Sequence, residues 1–238
     1  MTTILTHLLA VFAVLLSPWL GCVFYQRARK RIAAGVPDAK IRLYRAIVVE
    51  QIATTAVVVA LWLSGRIPAA SLGLVAPRSW GWTLAVLDVI VGVLVCSSLL
   101  LRPKAEKLRI KVKDHIGALL PDSRQERRWF GMISVGAGIS EELVFRGFLL
   151  CYVGTYFPQI NTLERVLLVS LVFGLAHFYQ GRIGVAGTGV AGLALAGLYL
   201  MTGSLLLPAL VHAAADARVL LIFPPPNSSP AIAMEGKA

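Results

Sequence analysis

Apolar residues along the chain gather into seven runs, 4–24, 44–64, 82–101, 129–152, 163–178, 183–201 and 205–223, parted by short stretches rich in Arg, Lys, Pro and Gly. A helix that crosses a bilayer needs about 20 mostly apolar residues. The pattern therefore predicts an all-α protein, a polytopic transmembrane bundle of about seven helices. The first run has no basic residue ahead of it and no small-residue cleavage site, so it reads as a retained span and not a signal peptide. Stretch 104–113 is basic with Leu108, Ile110 and Val112 interleaved; it reads either as an eighth, short helix on the membrane surface or as a solvated linker. The link 66–81, with Pro68, Gly73, Pro77 and Trp80, reads as an ordered interfacial turn. The sixth run is rich in small residues (Gly184, Gly187, Gly189, Gly192, Ala196, Gly197), which lets helix backbones approach closely in lipid. The expected organisation is a pair of N-terminal helices with a basic loop (1–65), a core (66–222) and a disordered tail (223–238) that contains three consecutive prolines.

Composition agrees with the pattern. The chain of 238 residues is 57% hydrophobic and 15% charged, against roughly 45–50% and about 25% for a soluble domain. Twelve acidic residues cannot dress the surface of a soluble protein of this size, so a soluble enzyme is excluded. The three cysteines, Cys22, Cys96 and Cys151, include no CxxC pair, which excludes a disulfide framework and a cysteine zinc cluster.

The net charge of +11 sits in two stretches. Arg27, Arg29, Lys30, Arg31, Lys40, Arg42 and Arg45 form one; residues 102–128 form the other. Basic loops between apolar spans follow the positive-inside rule and argue against a nucleic-acid partner. They predict a cytoplasmic position for both loops, contact with anionic lipid there, an outside N-terminus, a cytoplasmic C-terminus, and residence in the plasma (inner) membrane.

An ionisable side chain at bilayer depth costs at least about 2.5–3.5 kcal/mol and needs a reason. The fourth run holds Glu141, Glu142 and Arg146. Glu142 and Arg146 are four residues apart, share a helix face and stand in the favoured order for an ion pair. Glu141 is rotated about 100° from Glu142 and need not be neutralised by the same arginine. The fifth run supplies Phe173 and His177, the seventh His212 and Asp216, each pair one turn apart. An isolated intramembrane histidine is more often a packing hydrogen-bonder than a catalyst; a Glu-Glu-Arg turn with two histidines on two other spans shifts the reading to function. Glu50, near the inner end of its span, and Asp88, at a depth similar to that of Arg146 and so a second partner for it, read as structural.

Two chemistries stay open for such a cluster. A carboxylate beside a histidine can deprotonate a water, while a second histidine and an amide or protonated acid stabilise the oxyanion. Alternatively Glu141, His177 and His212 form a two-His-one-carboxylate set suited to a catalytic zinc.

These residues resemble the CPBP family of intramembrane endopeptidases, also called Abi or CAAX prenyl protease 2-like. The family pattern runs Glu-Glu-x-x-x-Arg, Phe-x-x-x-His, then His-x-x-x-Asn, each on a membrane helix. Here it reads Glu141-Glu142…Arg146, Phe173…His177 and His212…Asp216, and Leu72-Gly73-Leu74 resembles the family's lead-in to the core. The resemblance implies that Glu141 and His177 activate water, that His212 and residue 216 stabilise the oxyanion, and that Glu142, Arg146 and Phe173 organise the site. It implies a membrane-embedded or lipidated peptide substrate, no obligatory cofactor, and zinc as the alternative. A catalytically inactive relative that acts by binding, in bacteriocin immunity or as a scaffold, is the rival reading. Asp216 departs from the pattern: an ionised Asp cannot donate to an oxyanion. It either is protonated, orients His212, or supports a metal; the i,i+4 spacing favours orienting.

Overall fold

The computed structural model describes residues 2–224, so most of the predicted tail lies outside the described residues. All regular structure among them is helical. Residues 2–33 form a continuous helix, α1, with a π turn at Phe12–Leu16; Ala39–Leu63 is α2 and Trp80–Leu101 is α3. The eighth helix exists: Ala105–Ile116, α4, follows α3 through one 3-10 turn. Residues 124–156 form α5, interrupted by a π segment at Leu143–Leu149, and Thr162–Ala176 is α6. Gly181–Thr202 is α7; Leu206–Ala217 is α8, extended by a last turn at Val219–Ile222. All seven predicted runs are thus helical, with ends displaced by up to nine residues where polar turns continue past the apolar stretch.

Residues 4–33, α2, the continuous α3–α4 stretch and the helix ending at Thr202 are long and apolar enough to cross a membrane. With the sequence composition, they make this an integral membrane protein. The helices that carry the polar cluster differ. Thr162–Ala176 has 15 residues, about 22 Å of rise, and Leu206–Ala217 has 12. His177 is the residue that closes α6.

The core lies where α5 meets α1, α2 and α6, around Leu61, Leu72, Phe145, Phe148 and Phe173. The link 66–81 is ordered, as expected: Leu72 is fully buried, Gly73 takes φ +69°, and the Gly73 carbonyl accepts from the Leu205 amide at 3.0 Å. A Cβ at Gly147 would stand 2.9 Å from the Leu72 carbonyl, so the turn packs directly on the π segment. Glycines set two further close approaches. A Cβ at Gly138 would meet the Ala209 carbonyl at 2.4 Å, and one at Gly174 the Val185 carbonyl at 2.7 Å. In the small-residue run of α7, Gly189 and Gly192 face α6, whereas Gly187 and Gly197 face nothing within 4 Å.

Both basic stretches lie at one end of the bundle. Arg29 meets Asp114 at 3.3 Å, and Lys40 reaches Asp122, Glu126 and the Leu120 carbonyl. On α4, Leu108 and Val112 pack toward Leu120, Ile222 and Phe223, while Ile110 points outward. The Arg127 guanidinium donates to the Leu220 and Phe223 carbonyls, and Phe223 is buried, so the packed chain extends into the first residue of the predicted tail.

Candidate active site

Glu141 and Glu142 close the α-helical part of α5, and the π segment that begins at Leu143 holds Arg146. Single π turns inside helices concentrate at functional positions because they re-aim side chains. This one keeps Arg146 within reach of Glu142 while turning the helix face against α7. His177 caps α6, and its Nδ1 lies 2.8 Å from the Phe173 carbonyl. A carbonyl only accepts, so Nδ1 carries the proton and Nε2 is left to the site. His212 lies in mid-helix on α8, where the Gly138 contact lets α8 come close to α5.

One acid is anchored. Glu142 Oε1 accepts from Arg146 Nη1 at 2.7 Å and from His212 Nδ1 at 2.8 Å. Arg146 Nη2 donates to the Gly192 carbonyl at 2.9 Å, and the guanidinium lies over the Phe173 ring, 4.5 Å from its centroid. The Glu142 and Arg146 side chains are 0% and 1% exposed. Phe173 also packs against both imidazoles, at 4.9 Å from His177 and 5.9 Å from His212. One aromatic ring thereby braces the cation and the two histidines.

Its neighbour is free. Glu141 Oε2 stands 3.8 Å from His177 Nε2 and 3.9 Å from His212 Nε2, beyond direct hydrogen bonding. That oxygen is buried and has no hydrogen-bond partner. With both Nδ1 atoms committed as donors, the two Nε2 atoms converge on it. Polar atoms held apart at this distance are those a single water bridges. Asp216 Oδ2 is 3.8 Å from His212 Nε2, and its side chain is 43% exposed.

The structure thus brings Glu141, Glu142, Arg146, Phe173, His177, His212 and Asp216 together. Three expectations change. Asp216 does not orient His212: the orienting hydrogen bond comes from Glu142, because that carboxylate, on α5, faces Nδ1 directly. Asp88 is not a partner of Arg146, which donates to Glu142 and to the Gly192 carbonyl; Asp88 lies on the exposed face of α3. Glu50 accepts a hydrogen bond from Ser17 Oγ at 3.2 Å. The candidate zinc set is spaced more widely here than donors on one tetrahedral zinc. Donors about 2.0–2.1 Å from a tetrahedral zinc stand about 3.3 Å apart, whereas Glu141 Oε2 is 3.8 and 3.9 Å from its histidines. Among the described residues, no group of three His, Cys, Asp or Glu side chains is disposed to hold a metal. The Gly192 carbonyl and the Glu142–His212 bond were not visible in the sequence.

A cleft of about 730 Å³ between α2 and α5 is lined by Val48, Ile52, Val59, Met132, Val135 and Ile139 among others. Its wall is almost wholly apolar, with the Gln51 amide held by the Ile133 carbonyl at 3.2 Å.

Comparison with known proteins gives one family. No curated protein and no solved structure matches the chain. Residues 125–218 match the family model described as Type II CAAX prenyl endopeptidase Rce1-like. The matched stretch starts in the first turn of α5 and ends just after Asp216, so it holds all seven of these site residues. The match agrees with the resemblance read from the three motifs: over residues 125–218 this integral membrane protein is similar to the Type II CAAX prenyl endopeptidase Rce1-like family.

Proposed function

We propose that the protein is a glutamate-dependent endopeptidase that cleaves membrane-associated, lipidated peptides near the cytoplasmic side of the bilayer. The observation that carries this reading is the unpartnered Glu141 Oε2 between two imidazole Nε2 atoms, beside a second acid whose Oε1 is held by both Arg146 and His212. A water between Glu141 and His177 gives its proton to Glu141, and the hydroxide formed attacks the peptide carbonyl. His212 in its doubly protonated form donates from Nδ1 to Glu142 and from Nε2 to the oxyanion. Collapse of the tetrahedral intermediate returns the proton from Glu141 to the leaving amine, so water is consumed and no covalent intermediate forms. Asp216 stands close enough to His212 Nε2 to support its cationic form.

Substrate class follows from the cleft and the family name. The apolar trough between α2 and α5 suits a lipid chain or an apolar segment. In this reading residues 66–222 are the catalytic core and 1–65 support it. The basic end faces the cytoplasm and anionic lipid, with the N-terminus outside and the C-terminus inside. Asp216 in place of Asn supports the rival, an inactive protein that acts by binding.

Incubation of the purified, reconstituted protein with a prenylated CAAX-type peptide separates the two readings. Release of the terminal tripeptide by wild type and not by Glu141→Gln is the expected result. Binding of the peptide with no cleavage by either protein would favour the inactive reading, and cleavage of the unprenylated peptide at an equal rate would remove the lipid from the substrate class.

A further inference from the structure

Helix α3 packs on the bundle through one face only. Thr83 is buried, and Val86, Leu87 and Ile90 pack toward Leu195, Leu207 and Val211 of α7 and α8. At 100° per residue, the direction opposite this face is occupied by Gly81, Asp88, Gly92 and Leu99, all exposed. A Cβ placed at Gly81 or at Gly92 would meet nothing within 4 Å, so the outward surface is open backbone on either side of the aspartate.

Asp88 forms no hydrogen bond or ion pair with any described residue. Trp80 and Trp82, both exposed, mark an interfacial belt at the start of the helix. Asp88 lies eight residues beyond Trp80, about 12 Å into a hydrocarbon core of about 30 Å. It is therefore a carboxylate near the bilayer midplane, on the outward face of α3, with no partner among the described residues. Intramembrane acids almost always face a protein interior, a wet cavity or a partner charge, and the described protein offers this one none of the three.

We infer that this face of α3 is a docking surface for a partner transmembrane helix carrying a Lys or Arg side chain at midplane depth. Charge complementarity selects the occupant: a carboxylate removed from water is best met by a cation. An aspartate has a short side chain, so a partner must come close, and the open glycines on the same face permit that approach. A second copy fits less well. A parallel two-fold pair through this face would set carboxylate against carboxylate, and α3 carries no basic residue between Trp80 and Leu101 to relieve them.

The test uses the full chain in phosphatidylcholine vesicles with a synthetic Leu/Ala transmembrane peptide that carries one central Lys and a dansyl group. Energy transfer from the protein's tryptophans reads association. Wild type is expected to bind this peptide roughly tenfold more tightly than its Lys→Leu counterpart. Asp88→Leu abolishes the preference, and Asp88→Lys transfers it to a peptide with a central Asp. Asp88→Asn, which preserves shape, weakens the preference and covers the case in which the leucine variant does not insert. Equal binding of the Lys and Leu peptides to wild type overturns the inference, as does a preference that survives Asp88→Leu. Self-association of wild type that excludes the Lys peptide and is lost in Asp88→Leu would overturn it too, by giving the face to a second copy.

Discussion

Two parts of the molecule use ion pairs in opposite ways. At the basic end, Arg29 meets Asp114 in the open, with the two side chains 44% and 83% exposed. In the interior, Arg146 meets Glu142 with both side chains sealed from solvent, and every further contact of the pair is to a site group or to the α7 backbone. The first arrangement is screened and replaceable. The second is a scaffold, because a buried charge without its partner is far more costly than an exposed one. Lys40 stands between these extremes, nearly buried yet linked to the half-exposed Asp122. What the contrast teaches is that the same chemistry does electrostatic surface work at one end and fixes geometry at the other. Only the second leaves a neighbouring acid free.

Substitutions can break this contrast in a graded way. Arg146→Ala strands Glu142 and removes the hydrogen bond to Gly192; a loss of about 3–5 kcal/mol is expected in reversible detergent unfolding, together with loss of cleavage. Unchanged unfolding would mean the pair does not organise the core. Phe173→Leu keeps the hydrogen bonds and removes the ring under the guanidinium and beside both imidazoles. It should cost about 1–2 kcal/mol, the size of a desolvated cation–π contact, and lower turnover more than substrate affinity; an effect on affinity alone would argue against its bracing role. Arg29→Ala should change stability by less than about 1 kcal/mol and leave turnover unchanged when melting and cleavage are compared at low and high salt. A loss as large as that of Arg146→Ala would erase the distinction between the two regions.

How much of this was legible in the sequence depends on the range of the contact. The Glu142–Arg146 pair could be read because i,i+4 spacing is a local property of a helix. The free state of Glu141 followed from the same rotation. The Glu142–His212 bond joins residues 70 apart, and no periodicity announces it; the i,i+4 argument pointed to Asp216 instead, which lies too far from the ring nitrogen to bond. Asp88 was matched to Arg146 by depth alone. Depth says nothing of azimuth, and the face shared with Gly81 and Gly92 turns it outward. The π segment had no signal in residue type, although the Gly147 within it now has a reason in the Leu72 carbonyl packed against it.

The central claim is that two adjacent glutamates have separate duties, Glu142 holding the site and Glu141 reacting in it. Glu141→Gln and Glu142→Gln, purified side by side and compared in turnover of a membrane peptide and in thermal unfolding, test it directly. Glu141→Gln should melt like wild type and lose about 10²–10⁴-fold in turnover, the worth of a general base, while Glu142→Gln should melt at a clearly lower temperature. Full turnover by Glu141→Gln, or equal loss of stability in the two variants, would contradict the account.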